Sequence, residues 1–213
     1  MIDPLTGNAM KLIGMLDSPY VRRVAICLEL LKLDFEHQSI SVFSTYDQFA
    51  RINPVVKAPT LIADNGQSVM DSTVILQYLA TLAGPEQRLF PSRPDACLRA
   101  ARLTGLALAA CDKTVQIVYE RNLRPADKQH EPWMERVRSQ MLAAYGELEQ
   151  EVAAAPLPIE ADHFGAADVT VAVAWRFTQM MLPQIVSAAD YPRLQAFAAR
   201  AEQLPEFVST PPV

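Results

Sequence analysis

Three short stretches carry side chains whose type and spacing suit chemistry. In "DSPYVRRV" (17–24), Ser18 precedes Pro19 at the start of an apolar-periodic run. Serine accepts a backbone N–H at a helix start and proline suits the first helical position, so the pair predicts an N-cap. A hydroxyl accepts and donates at once, which leaves Ser18 able to serve a ligand as well. In "NPVVKAPTL" (53–61), Lys57 and Ala58 lead into Pro59 at the entry to a strand, readable as a loop lysine and an edge-strand proline. In "MDST" (70–73), Asp71 and Ser72 cap another helix, and a helix N-terminus is a natural seat for a carboxylate. Arg22 and Arg23 could steer an anionic ligand, and read otherwise as charges on a solvated helix face.

Other chemistries have little support. Cys27, Cys97 and Cys111 are odd in number, widely spaced and without a C-x-x-C, which fits neither a disulfide framework nor a zinc site. His37, His130 and His163 stand at no ligand spacing, so no metal centre is expected. A net charge of −5 argues against a nucleic-acid partner, whose phosphates want a basic field. No apolar run approaches the ~18–20 residues that span a membrane, and the N-terminus lacks the basic start and apolar stretch of a signal peptide. A reducing, cytoplasmic setting is the expectation.

The elements that must hold these stretches can be read from periodicity. Residues 1–9 are set apart as an N-terminal extension or cloning remnant, because Pro4, Gly7 and Asn8 break any pattern. "KLIGML" (11–16) reads as a buried strand, and Val21, Val24, Ala25, Leu28 and Leu31 mark a helical face behind Ser18. "FEHQSISV" (35–42) reads as a second strand, followed by a helical turn around "TYDQFARI". Asn65-Gly66 predicts a hairpin between "PTLIA" and "QSVM", and Val74, Ile75, Tyr78, Leu79 and Leu82 form the next helix face. Residues 10–84 therefore form an α/β domain of order βαβ-α-ββα. The proline-rich residues 85–95 form a linker. Beyond it strand signals vanish, and 96–213 reads as an all-α domain with helices over 96–123, 133–152, 165–181 and 191–204 and an irregular tail "PEFVSTPPV".

That order, with these residues at the joints, resembles the glutathione S-transferase superfamily from Met10 to the C-terminal prolines. "SPYVRRV" is similar to the Ser-Pro-Phe-x-x-Arg-Val signature of serine-type members, a tau/theta-like motif shared by plant and many bacterial relatives. "NPVVKAPTL" is similar to Asn-Pro-x-x-Lys-Val-Pro-x-Leu, and "MDSTVILQYL" to Glu-Ser-x-x-Ile-x-x-Tyr-Leu. "YPRLQAFAARAEQLPEF" resembles the family's last helix.

The resemblance implies a thioredoxin-like N-terminal domain joined to a helical one, and a cytoplasmic homodimeric detoxification enzyme that transfers alkyl or aryl groups. Glutathione would be a co-substrate, with no permanently bound cofactor. Ser18 would be catalytic, its hydroxyl donating to the glutathione sulfur to favour thiolate. Lys57 would reach the glycyl carboxylate. A cis Ala58–Pro59 bond would expose the main chain of Ala58 to the cysteinyl part. Ser72 would hold the γ-glutamyl carboxylate and Asp71, one methylene shorter than the usual Glu, would face its amine. Cys111, Val115 and Tyr119, at helical spacing, would border the site of a hydrophobic electrophile. Taken alone, Tyr119, Trp175, Met180, Met181 and Cys111 read as core or interface. Asp168 is a structural cap opposite Gly165. With no cysteine at the Ser18 position, a mixed-disulfide reaction is disfavoured. The alternative reading is a non-catalytic member of the fold that binds ligands or proteins.

Overall fold

The computed structural model describes residues 9–84, 88–158 and 164–212; the extension up to residue 8, the linker positions 85–87 and His163 lie outside them. The described residues fall into two compact units. One comprises the chain up to Leu89 together with the residues from Pro205 onward, and the other is Phe90–Leu204.

The first unit runs β1 (Met10–Ile13), α1 (Pro19–Leu30), β2 (Phe35–Gln38), α2 (Tyr46–Ile52), β3 (Thr60–Ile62), β4 (Ser68–Met70) and α3 (Ser72–Leu82). The sheet order is β2-β1-β3-β4, with β1 parallel to β2 and antiparallel pairs β1/β3 and β3/β4. The βαβ-α-ββα order is thus present. Both leading strands are shorter than their apolar runs suggest. β1 stops at Ile13 because Gly14 follows at φ +138°, a conformation that L side chains rarely adopt. β2 stops at Gln38, the partner of Ile13; the Gln38 C=O accepts both Gly14 N–H at 3.1 Å and Ile40 N–H at 2.9 Å as the chain turns away. Gly66, at φ +82°, makes the β3–β4 turn.

Nearly all of α1 is enclosed. Pro19 and every residue from Val21 to Leu28 are buried, against β1, α3 and a last short helix, α8 (Pro205–Val208). The tail is therefore not irregular, and residues from 205 onward leave the helical domain expected over 96–213 to join the first unit. Pro205 opens a helical turn, Phe207 is 1% exposed, and Arg22 of α1 donates to its carbonyl and to that of Thr210 just beyond.

The second unit is helical: α4 (Pro94–Leu123), α5 (Glu131–Ala154), α6 (Ala166–Met181) and α7 (Pro192–Ala201). Residues 166–175 of α6 are all buried, as the apolar run "AADVTVAVAW" requires. Inside, Tyr145 Oη meets Thr178 Oγ1 at 2.5 Å, and Thr178 meets Thr114 at 2.7 Å, so the polar groups of this core satisfy one another. The ring of Trp175 packs edge-on to Tyr145, and its indole N–H donates to Gln195. Asp168 Oδ2 accepts the Gly165 N–H at 2.9 Å at the start of α6. Burial pushes the Asp168 carboxyl up to about 6, against the pull of that hydrogen bond. The start of α7 has no cap of its own; Glu149 of α5 accepts the N–H groups of Arg193 and Leu194 at 2.8 and 2.9 Å. No helix among the described residues is long and apolar enough to cross a membrane.

Candidate functional site

The site is built around α1. Ser18 occupies the N-cap position, with Pro19 at the first helical residue and Arg22 N–H bonded to Ser18 C=O at 3.0 Å. Its side chain, however, makes no capping hydrogen bond. Ser18 C=O thus accepts the first helical bond, while the side chain of this half-buried residue is not spent on the cap. Cys27, further along α1, is fully enclosed; burial pushes its thiol up to about 12 despite the opposing charge of Arg23, so it is no nucleophile.

A missing side chain brings the second stretch against α1. A Cβ built on Gly14 would lie 2.6 Å from a methyl of Val21 and 3.2 Å from the Cβ of Ala58. The end of β1, the first turn of α1 and Ala58 therefore converge at a point only glycine can occupy. The Ala58–Pro59 peptide is cis. The loop before it is fixed by Asn53, which is buried: its side-chain amide donates to Thr60 Oγ1 at 2.9 Å and its Oδ1 accepts Val55 N–H. Thr60 Oγ1 in turn donates to Lys57 C=O at 2.8 Å. Val56 adopts φ +53°, an unusual conformation for a β-branched residue, and packs with Ala58 on the cluster of Ile13, Ile40 and Phe49. Lys57 itself is exposed.

The third stretch lies at the head of α3. Asp71 takes φ +72°, and its Oδ1 accepts Thr73 N–H at 2.9 Å, so one carboxylate oxygen is committed to the cap. Ser72 is 3% exposed. The guanidinium of Arg23 reaches across from α1, donating from Nη1 to Ser72 Oγ at 3.2 Å and Thr73 Oγ1 at 3.3 Å.

The solvated helix face expected of Arg22 and Arg23 does not exist: they are 1% and 2% exposed. Arg23 serves α3. Arg22 turns to the tail, donating to the carbonyls of Thr210 at 2.8 Å and Phe207 at 3.3 Å, with its guanidinium 5.6 Å from the centre of the Phe207 ring. A signal for this was available. From Val24 to Leu28 α1 is apolar on every face, which marks an enclosed helix whose arginines need partners. Gly14 and Asn53 carried no comparable signal.

The three positions on α4 do not share one environment. Cys111 is 2% exposed and belongs to the helical core, so it presents no surface to a ligand. Val115 is half-buried. Tyr119 is 43% exposed and opens, with Gln116, Glu120, Leu123, Arg124, Pro125 and Trp133, on a concavity of about 630 Å³. Glu120 pairs there with Arg124 at 2.8 Å, which holds its carboxyl below the usual range. Trp175 is buried as expected, whereas Met180 and Met181 are partly exposed.

Two family matches cover most of the chain: the glutathione S-transferase N-terminal domain over residues 12–87 and the C-terminal domain over 131–200. An uncharacterised GST-like protein of Escherichia coli, YibF, is 30% identical over 132 residues, or 62% of this chain and 64% of its own length. A glutathione S-transferase of Methylobacterium radiotolerans, solved in complex with glutathione sulfonate, superposes with a TM-score of 0.86 at 28% identity, over 95% of this chain and 94% of its own. A glutathione transferase family member of Pseudomonas fluorescens Pf-5, solved with bound glutathione, gives 0.82 at 30% identity, over 96% of this chain and all of its own.

Proposed function

The chain belongs to the glutathione S-transferase superfamily, and from that premise we propose that it is a serine-type glutathione transferase, a cytoplasmic homodimer that activates the glutathione thiol for attack on a hydrophobic electrophile. The observation that carries this reading is the convergence of three elements in the first unit. The uncapped Ser18 hydroxyl heads α1, Ala58 abuts the same helix at Gly14, and Arg23 joins it to the Ser72 end of α3. The relatives solved with glutathione or its sulfonate support the choice of ligand.

In this reading the tripeptide lies along the three joints. Ser72 and the start of α3 take the γ-glutamyl carboxylate. Asp71, with one oxygen turned inward, offers the other to the amine. The main chain of Ala58 pairs with the cysteinyl part as a neighbouring strand would, Pro59 sets the entry to β3, and Lys57 meets the glycyl carboxylate. Ser18 Oγ–H then donates to the sulfur. A free thiol has a pKa near ~8.5; a hydrogen bond to the thiolate, aided by the positive end of α1, lowers it by about two units. The thiol proton passes to solvent, and the sulfur lone pair forms the new bond in one of two ways. Substitution expels a leaving group with its bonding pair; conjugate addition pushes the π pair onto the activating group, which then takes a proton from solvent. Val115 and Tyr119 of α4 contact the electrophile. The exposed Met70 and Val74 offer apolar surface for the second copy.

Replacing Ser18 by Ala is expected to lower the conjugation rate roughly 100-fold while changing glutathione affinity by no more than a few fold. Turnover equal to the parent's would remove Ser18 from the mechanism. A protein whose melting temperature ignores millimolar glutathione would instead be a non-catalytic member of the fold.

A further inference from the structure

Arg23 is buried, charged and absent from the proposed contact set, yet it spans the two helices that bracket the ligand. It lies on α1, five residues beyond Ser18, and its Nη1 donates to Ser72 Oγ at 3.2 Å and Thr73 Oγ1 at 3.3 Å. A guanidinium only donates, so both hydroxyls accept from it. A hydroxyl that accepts from one side must direct its own proton elsewhere. The head of α3 also carries first-turn main-chain N–H groups and the positive end of its dipole. At the tip, Asp71 Oδ1 takes the Thr73 N–H, leaving the main-chain donor of Ser72 outside that cap.

From this geometry, and resting on the glutathione reading above, we infer that Arg23 is a positioning residue that sets the Ser72 and Thr73 hydroxyls as donors, and thereby makes the head of α3 selective for the α-carboxylate of the γ-glutamyl group. Its charge, held at 2% exposure, adds long-range attraction that solvent screens little. Lysine would supply charge and donors but not the guanidinium geometry that brings one nitrogen, Nη1, within reach of both hydroxyls. Glutamine would supply donors without charge.

The test compares two ligands on the full chain by calorimetry: glutathione, and 4-aminobutanoyl-cysteinylglycine, which lacks only the α-carboxylate. The parent should prefer glutathione by roughly tenfold or more, the discrimination expected of a charge-assisted hydrogen bond. In Arg23→Gln that preference should fall to within about twofold, and Arg23→Lys should keep part of it. The KM for glutathione should rise in Arg23→Gln while kcat at saturating glutathione stays within about twofold of the parent, because the sulfur end of the site is untouched. Should Arg23→Gln fail to fold, Thr73→Val removes one hydroxyl at constant shape and should lower the preference in the same sense. A preference that survives in Arg23→Gln or, failing that, in Thr73→Val overturns the inference, as does an equal loss of affinity for both ligands. A parent that binds neither ligand overturns the glutathione reading instead.

Discussion

The nook around α1 in the first unit and the α4–α5 concavity in the second are built on different principles. The first is made of main chain and buried polar groups: Gly14 at positive φ, Asp71 at positive φ, Asn53 and Thr60 bracing a loop, and Arg23 bracing a helix start. The second is lined by side chains of α4, of α5 and of the residues between them, with the Glu120–Arg124 ion pair along its rim. Main-chain geometry tolerates few residue types, so the first region admits little variation without loss of shape. A helix surface keeps its shape whatever side chains it carries, so the second is open to change of content. Under the proposed function, glutathione would occupy the first construction and the electrophile would meet the second.

Three substitutions bear on that contrast, the largest effect first. Gly14→Ala forces a Cβ to 2.6 Å from Val21 at φ +138°. It should destabilise the fold by about 3 kcal/mol, visible as a lower denaturation midpoint, and should weaken glutathione binding through Ala58. A neutral effect would mean that the nook yields where it is described as rigid.

Asp168→Asn probes the second unit away from its concavity. The folded-state carboxyl stands at about 6 against an ordinary 3.8, so the folded chain binds that proton more tightly than the unfolded one. The resulting stabilisation is complete below the unfolded value and is lost as pH rises through about 6. Asparagine keeps an acceptor for Gly165 N–H without charge. The variant should therefore gain most over the parent near pH 7, and the gain should shrink as pH falls toward about 4. Denaturant titrations at the two ends of this range check the sign, and a gain that grows on acidification would contradict it.

The smallest change is expected of Tyr119→Ala. At 43% exposure the ring contributes little to the core, so stability and glutathione affinity should stay at parent levels. KM for an aromatic electrophile should rise by a few fold. A loss of glutathione affinity would show that the two regions are less separable than their construction suggests.

The same contrast explains what the sequence disclosed. The βαβ-α-ββα order followed from periodicity and from punctuation at Pro19, Asn65-Gly66 and Asp71-Ser72, because those residues act locally on the backbone. Ser18, Lys57, Ala58, Pro59, Asp71 and Ser72 stand out because they lie in strings that resemble the family's joints; local backbone logic alone marks Ser18, Asp71 and Ser72 as helix starts. What stayed hidden depends on contacts distant in sequence. Arg22 looks like any surface arginine until the tail, 185 residues away, supplies Phe207 C=O. The tail itself looked irregular because four helical residues carry no periodicity. Gly14 reveals its necessity only beside Val21 and Ala58. On α4, regular spacing grouped Cys111 with Tyr119, although the helix turns one into the core and the other outward.

The most direct test of the central claim is the titration of bound glutathione, followed by the ultraviolet absorbance of its thiolate, in the parent and in Ser18→Ala. The thiol should titrate about two units below its free value of ~8.5 in the parent and return close to that value in the variant, with binding retained in both. A thiol that binds the parent without a shift, or shifts equally in the variant, would contradict a catalytic Ser18.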